Sequence, residues 1–378
     1  METNPTATLD QYFGELKDPR TGNAIQHKFM EILIIAICAV ICGADGWSDI
    51  ELFGKKKKAW LKTFLELPKG IPSHNTFGRV FALLNPEEFQ QRFMEWVQAI
   101  EQLTAGQVIA VDGKQLRGSH DHRANKAAIY MVSAWATANQ VVLGQRKVED
   151  KSNEITAIPE LLKLLELSGC IVTIDAIGTQ TKIAQTIIDQ GGDYILALKE
   201  NQGHLFKDVQ DLFEADTATG FQPLPSTYAK TVGKGHGRVE LRECWAIDAT
   251  DYLTYLRGRE HWAGLKSVVR IVAERRVGDK VEREVRYFIS SLPGEAKAIL
   301  KAKRSHWQIE NQLHWVLDIA FREDDSRVRD GHAAENLSLL RHLALNLIKR
   351  EKTAKGGLRA KRLQAAWDPD YLLAILKS

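Results

Sequence analysis

Cysteine is scarce in this chain, with four in 378 residues. Only Cys38 and Cys42 lie close, four apart inside an apolar run, and no second Cys/His pair follows at zinc-finger spacing. They read as buried, reduced thiols of a cytosolic protein. Long apolar runs are missing too. The longest, Ile32 to Cys42, has 11 residues, against about 20 for a membrane span. It reads as a core helix. The opening "METNPTATLDQYFGEL" lacks the basic and apolar regions of a signal peptide. No Gly-rich phosphate loop follows the first strand pattern, which argues against a Rossmann domain. Nor does one sign of charge dominate, since the formal net charge is +3.

What remains is a chain that is 44% hydrophobic, enough for a real core, and long enough for two or three domains. Its charge is unevenly spread. Residues 1–100 hold 11 basic and 12 acidic side chains, a net of −1; residues 301–378 hold 15 and 10, a net of +5. The stretch 341–362 carries eight basic residues against Glu351 alone. Such a run suits a polyanion and equally suits a solvated face.

The first hundred residues read as helices. "HKFMEILIIAICAVICGA" is one, and "SDIELFGKKKKAWLKTFL" contains another, with Ser48 or Asp49 as N-cap. "IPSHNTFGRVFALL" is a third, capped by Ser73 or Asn75. "NPEEFQQRFMEWVQAIEQL" is the clearest: Asn85 caps, Pro86 opens, and Phe89, Phe93, Trp96 and Val97 form a stripe. From residue 107 the texture changes. "QVIAVDG" is a strand, and two more strands meet at Ala138-Asn139-Gln140. A helix follows, capped by Ser152 or Asn153. Then come the strand "CIVTIDA", the helix "TQTKIAQTIIDQGG" and the strand "DYILALK". The order β-β-β-α-β-α-β predicts an antiparallel start followed by parallel βαβ units. Residues 200–229, with Pro223 and Pro225, read as loop. Residues 230–292 read as half-exposed antiparallel strands, an inserted module with 13 basic and 9 acidic residues between Lys230 and Arg286. Helices return after residue 294.

In "VIAVDGKQLRG", four apolar residues run into Asp112-Gly113. Asp-Gly is a hairpin signal, so one strand-end aspartate reads first as a turn. Asp175 closes "CIVTID" in the same way. This strand order sets the two strands side by side, so two carboxylates would meet at one edge and call for a cation between them. In "KRSHWQIENQLHWVLDIAF", Ile309, Leu313, Val316, Leu317 and Ala320 form the apolar face of a helix. His306, Glu310, His314 and Asp318 form a neighbouring i+4 stripe. The stripe also fits a solvated polar edge; a zinc reading ranks low for want of HExxH. The preferred reading joins Glu310 to the two aspartates, since three carboxylates suit Mg²⁺ or Mn²⁺.

Asp112, Asp175 and Glu310, separated by 63 and 135 residues, resemble the DDE triad of RNase H-like transposases. The chain more closely resembles the H-repeat-associated, ISAs-type transposases of bacterial insertion sequences. The stretches that carry this include "GIPSHNTFGRVF", "VIAVDGKQLRGS", "TIDAIGTQ", "GGDYILALKENQ" and "HWQIENQLHWVLDIAFREDDSRVR". They span residues 28 to about 350 and are specific together rather than singly. The sequence departs at the helper positions, where related transposases carry Tyr, Arg and Lys around the glutamate. Here those positions are Lys303, His306 and Leu317.

The resemblance implies an α/β chain with an RNase H-like mixed sheet. Residues 1–104 would form a helical, possible DNA-binding domain. Residues 105–200 and 294–350 would form the catalytic core, 201–293 a β-rich insertion and 351–378 a basic tail. It implies two Mg²⁺ or Mn²⁺ ions, about 3.5–4 Å apart, with Asp112 bridging, Asp175 on one and Glu310 on the other. Water would free a 3′-OH at an element end, and that 3′-OH would attack target DNA. Lys199, Arg238, Lys303, Arg304 and His306 would contact double-stranded DNA, making binding salt-dependent. Trp135, Trp307 and Trp315 are candidates to stack on flipped bases. A homodimer on paired ends and a cytoplasmic site complete the expectation. The competing readings are a DNA-binding protein derived from a transposase, with catalysis lost, and a repair nuclease on the same sheet.

Overall fold

The computed structural model describes all residues except 1–4, 23–24, 102, 121–126, 150–152, 219–224, 236 and 249, and except the side chains of 215–218. Helices come first among the described residues: α1 (Ala7–Phe13), α2 (Phe29–Ile41), α3 (Trp47–Lys56), α4 (Lys58–Leu61), α5 (His74–Leu83) and α6 (Pro86–Ile100). The caps follow the local chemistry. Ser73 accepts from the Thr76 amide, and Asn85 accepts from the Glu87 and Glu88 amides with Pro86 at the first position. Asp49 serves α3 from within its first turn, accepting from the Asp45 and Gly46 amides. The apolar run sits in α2, buried from Glu31 to Ile41. Among the described residues, no helix is long and apolar enough to cross a membrane.

Among the described residues, nine strands form one sheet in the order β3-β2-β1-β4-β5-β9-β8-β7-β6. They are β1 (Val108–Gln115), β2 (Tyr130–Ala136), β3 (Val141–Lys147), β4 (Ile171–Ile174), β5 (Asp193–Leu198), β6 (Ser226–Gly235), β7 (Arg238–Ile247), β8 (Ser267–Val277) and β9 (Lys280–Ser290). β1 pairs antiparallel with β2 and parallel with β4, and β4 pairs parallel with β5. Helices α7 (Glu154–Lys163) and α8 (Thr181–Asp189) make the crossovers. Asn153 caps α7 by accepting from the Ile155 amide; Ser152, the alternative cap, lies outside the described residues.

Asp112 does not end its strand. β1 runs on to Gln115, and Asp112 and Gly113 pair with Ser133 and Val132 of β2. The turn reading is therefore corrected. A Cβ on Gly113 would stand 2.4 Å from the Tyr130 ring and 2.8 Å from the Glu154 carboxylate carbon. Close approach, not positive φ, demands glycine here.

Residues 203–218, expected as loop, form helix α9 (Gly203–Ala218). Leu205, Val209 and Phe213 are buried along it, a spacing of four that was visible in "HLFKDVQDLF". Pro223, placed in the same loop, lies outside the described residues. A short helix α10 (Thr250–Leu253) follows β7. The strands of 226–290 number four rather than three. They extend the main sheet, because β9 pairs antiparallel with β5.

After the sheet come α11 (Ala296–Gln308), a π-helical turn Ile309–His314, α12 (Trp315–Phe321), α13 (Ala333–Arg350), α14 (Leu358–Trp367) and α15 (Pro369–Lys377). α13 is buried on nearly all sides and packs on α2, α5, α6 and β3. The Asn346 amide pairs with the amide and carbonyl of Val142, so the edge strand β3 gains a partner. The basic stretch 341–362 serves structure in part: Arg341 and Arg362 are buried. Arg362 donates to the Val40 and Ile41 carbonyls at the end of α2, where a cation suits the helix dipole.

Candidate metal centre and the family of the chain

The register of β1 on β4 ends at Val111 opposite Ile174. Asp112 and Asp175 are the next residues on parallel neighbours, so they stand at one level. Asp112 is largely buried, and its carboxyl is pushed up to about 6, first by burial and then by the charge of Asp175. The His314 ring beside it works in the opposite direction. Asp175 binds its own turn, accepting from the Ile177 amide.

The third element is the helix that runs from α11 through the π turn into α12. His306 sits against β4, with Nδ1 3.0 Å from the Thr173 hydroxyl. His314 sits against β1, with Nδ1 3.6 Å from Asp112 Oδ2. Glu310 lies between them in sequence and stays more than half exposed, with Oε2 3.3 Å from His314 Nδ1. One atom each of Asp112, Glu310 and His314 lie within 4.8 Å of one another. One π turn widens the helical ring by a residue, a feature found often at functional sites.

A second contact holds the same pair of elements. Lys114, two residues beyond Asp112 on the same face, bonds Asp318, four residues beyond His314. The spacings match physically: two strand residues rise ~6.7 Å and four helical residues ~6 Å. Lys114 Nζ also bonds Glu323 Oε2 at 2.8 Å. Glu323 is buried and in turn faces Arg341 and accepts from Ser338.

The sequence-derived residues divide. Asp112 and Glu310 come together beside His314, whereas Asp175, just past the end of β4, is near Asp112 but is not one of that group. Lys199, Arg238 and Arg304 are exposed. Lys303 and His306, expected at the surface as DNA contacts, are buried, and that expectation is corrected. Lys303 lies 5.2 Å from the Phe288 ring centre, and burial brings its ammonium down to about 8. Burial holds His306 well below the usual imidazole range. Trp135 is fully buried, so it is no stacking platform, whereas Trp307 and Trp315 are exposed. The zinc reading of His306-Glu310-His314 is corrected in the same way, because His306 is spent on Thr173.

Sequence reasoning missed two neighbours. Glu154, the first residue of α7, accepts from the Tyr130 hydroxyl and feels the charge of Asp175. The other is Lys114, inside "VDGKQ". Neither carries a sequence signal stronger than nearness to Asp112 or to a cap.

Beyond the centre, a groove of about 560 Å³ lies between the β7–β9 strands and α11. Arg238, Arg242, Arg286, Arg304 and Trp307 line it together with Glu240 and Glu284.

The mixed sheet thus brings two aspartates to one level, at Asp112 in β1 and at Asp175 just after β4, and the helix that carries Glu310 packs against both strands. The chain belongs to the transposase DDE domain family, which matches residues 104–347, and residues 11–97 match the DDE_Tnp_1-associated family. It is 40% identical over 372 residues to the H repeat-associated putative transposase YhhI of Escherichia coli K12, covering 97% of each chain. It is likewise 40% identical over 374 residues to the putative transposase YncI of Escherichia coli O157:H7, covering 98% of this chain and 95% of that one. A 72-residue stretch is 46% identical to the inactive transposase YbfQ of Escherichia coli K12, 19% of this chain and 86% of that one.

Proposed function

We propose that this member of the family is an active DDE transposase. It cleaves DNA at insertion-sequence ends and transfers the freed strand to target DNA. Asp112, Asp175 and Glu310 hold the divalent ions, Mg²⁺ or Mn²⁺. The order β3-β2-β1-β4-β5 is read as the RNase H-like core, with β6–β9 as its insertion. The observation that carries the reading is the convergence of Asp112 and Glu310, with Asp175 following β4 at the level where Asp112 follows Val111 on β1.

The residues fit such ions. All three acids offer hard oxygen donors, and a cation would relieve the burial and repulsion that hold Asp112 near 6. When bound, divalent ions activate the attacking oxygen and neutralise the leaving one. The chain supplies the placement. β1 holds Asp112 within a strand, the end of β4 sets Asp175 in the following turn, and the π turn presents Glu310 toward them. Buried Lys303 adds positive charge near both aspartates. Arg238, Arg304 and Lys199 contact the DNA backbone, and the N-terminal helices recognise the ends. Two copies bring two ends together. The chain works in the cytoplasm, on DNA.

The test is cleavage of labelled double-stranded DNA bearing the flanking ends, in Mg²⁺ or Mn²⁺. Asp112→Asn, Asp175→Asn and Glu310→Gln should each reduce cutting by on the order of 10³-fold, since several kcal/mol of charge stabilisation are lost, while DNA binding persists. Binding without cutting by the wild type would replace the proposal with a transposase-derived DNA-binding protein. Cutting without end preference would favour a nuclease.

A further inference from the structure

The His314 side chain is about 94% buried, and its one hydrogen bond among the described residues, with Glu310, is long. Its Nδ1 stands 3.6 Å from Asp112 Oδ2 and 3.3 Å from Glu310 Oε2. Its Nε2 is buried without a hydrogen-bond partner among the described residues. Charge-assisted N–H···O bonds run about 2.7–2.9 Å, so the ring is set too far from both acids for a strong tether. The donor atoms of all three residues nonetheless lie within 4.8 Å of one another, within reach of one ion between them. The ring is also held in place, because Leu313 and Leu317 beside it are buried and Lys114 pins the next turn.

We propose that His314 is a nitrogen ligand of the divalent centre, alongside Asp112 and Glu310, and that it biases the centre toward Mn²⁺ over Mg²⁺. The inference rests on the three-acid reading above. Its physical basis is donor softness: imidazole nitrogen suits transition metals, whereas Mg²⁺ prefers oxygen. His306, the neighbouring histidine of the stripe, has its Nδ1 on the Thr173 hydroxyl and is not one of the residues that converge here.

The experiment uses the full chain without DNA, loaded with Mn²⁺, and reads ¹⁴N coupling to the bound ion by pulsed electron paramagnetic resonance. Wild type and His306→Gln should both show directly bound nitrogen. His314→Gln and His314→Asn should lose it while still binding Mn²⁺. Their Mn²⁺ affinity should fall on the order of ten-fold, with a smaller fall for Mg²⁺ by calorimetry. Bound Mn²⁺ without ¹⁴N coupling in the wild type would overturn the inference and leave the carboxylate reading standing. Coupling that survives loss of His314 would overturn it too. A wild type that binds no Mn²⁺, with or without end DNA, would remove the three-acid reading and this inference together.

Discussion

The two halves of the sheet handle charge differently. In β3-β2-β1-β4-β5 most strand residues are buried, and β1 reads buried through Val111 before opening at Asp112. In β6–β9 the far ends stand in solvent: β6 is mostly exposed, as are residues Lys280–Val285 of β9. Charges in the first half are few and held by long-range partners. Lys114 bonds Asp318 and Glu323, more than 200 residues away. Charges in the second half pair with near neighbours two residues off, as in Arg238–Glu240, Arg276–Glu274 and Arg286–Glu284. A buried charge without a partner is costly, so the core half must recruit one across the fold. An exposed pair costs and contributes little, so the outer strands remain available for a ligand.

This contrast can be broken most decisively at Glu323. Its carboxylate faces Lys114 and Arg341 in the interior. Removing one member of a buried network costs about 3–5 kcal/mol. Glu323→Ala should therefore lower the unfolding free energy by that order in a denaturant titration. A loss below 1 kcal/mol would mean that the core charges are as dispensable as those of the outer strands.

On the exposed half the expectation reverses. Arg238→Ala and Arg304→Ala should leave stability within about 0.5 kcal/mol. Binding of duplex DNA should weaken, and the salt dependence should flatten by about one unit per lost phosphate contact. Unchanged binding across a salt series would show that the arginine-lined groove does not take nucleic acid.

The smallest effect sharpens the contrast at a third place, the joint between α13 and α15. Glu351 is held down to about 2 by hydrogen bonds from Thr353 and the Tyr371 hydroxyl, which outweigh its burial. A carboxyl lowered in the folded state binds fewer protons there than in the unfolded chain. Its contribution is complete above the ordinary value of 4.5 and is lost as pH falls toward 2. Glu351→Gln should flatten the stability profile between those values and leave its slope near neutrality unchanged. Equal slopes for variant and wild type in acid would remove this role.

Much of the fold was legible because it is written in local chemistry. Ser73, Asn85 with Pro86, and Asn153 cap helices by reaching amides two or three residues away. The alternation from residue 107 marks strands through their own faces. The two aspartates were legible for a related reason. Each follows an apolar run of residues, and parallel pairing of β1 on β4 turns equal positions into neighbours. The missed helix α9 carried its spacing of four in plain view, among residues read for their prolines.

What the sequence determined alone was therefore element type, caps, the apolar faces and the acids worth watching. Tertiary structure decided the rest. It carried β1 past Asp112, because β2 supplies partners as far as Gln115. It buried Lys303 and His306 while leaving Arg304 and Glu310 outside, a difference set by which face of one helix meets β4 and β1. It turned Arg362 from a tail charge into a helix-end cap. Burial and long-range partners belong to pairs of distant segments, and no window of neighbouring residues contains them.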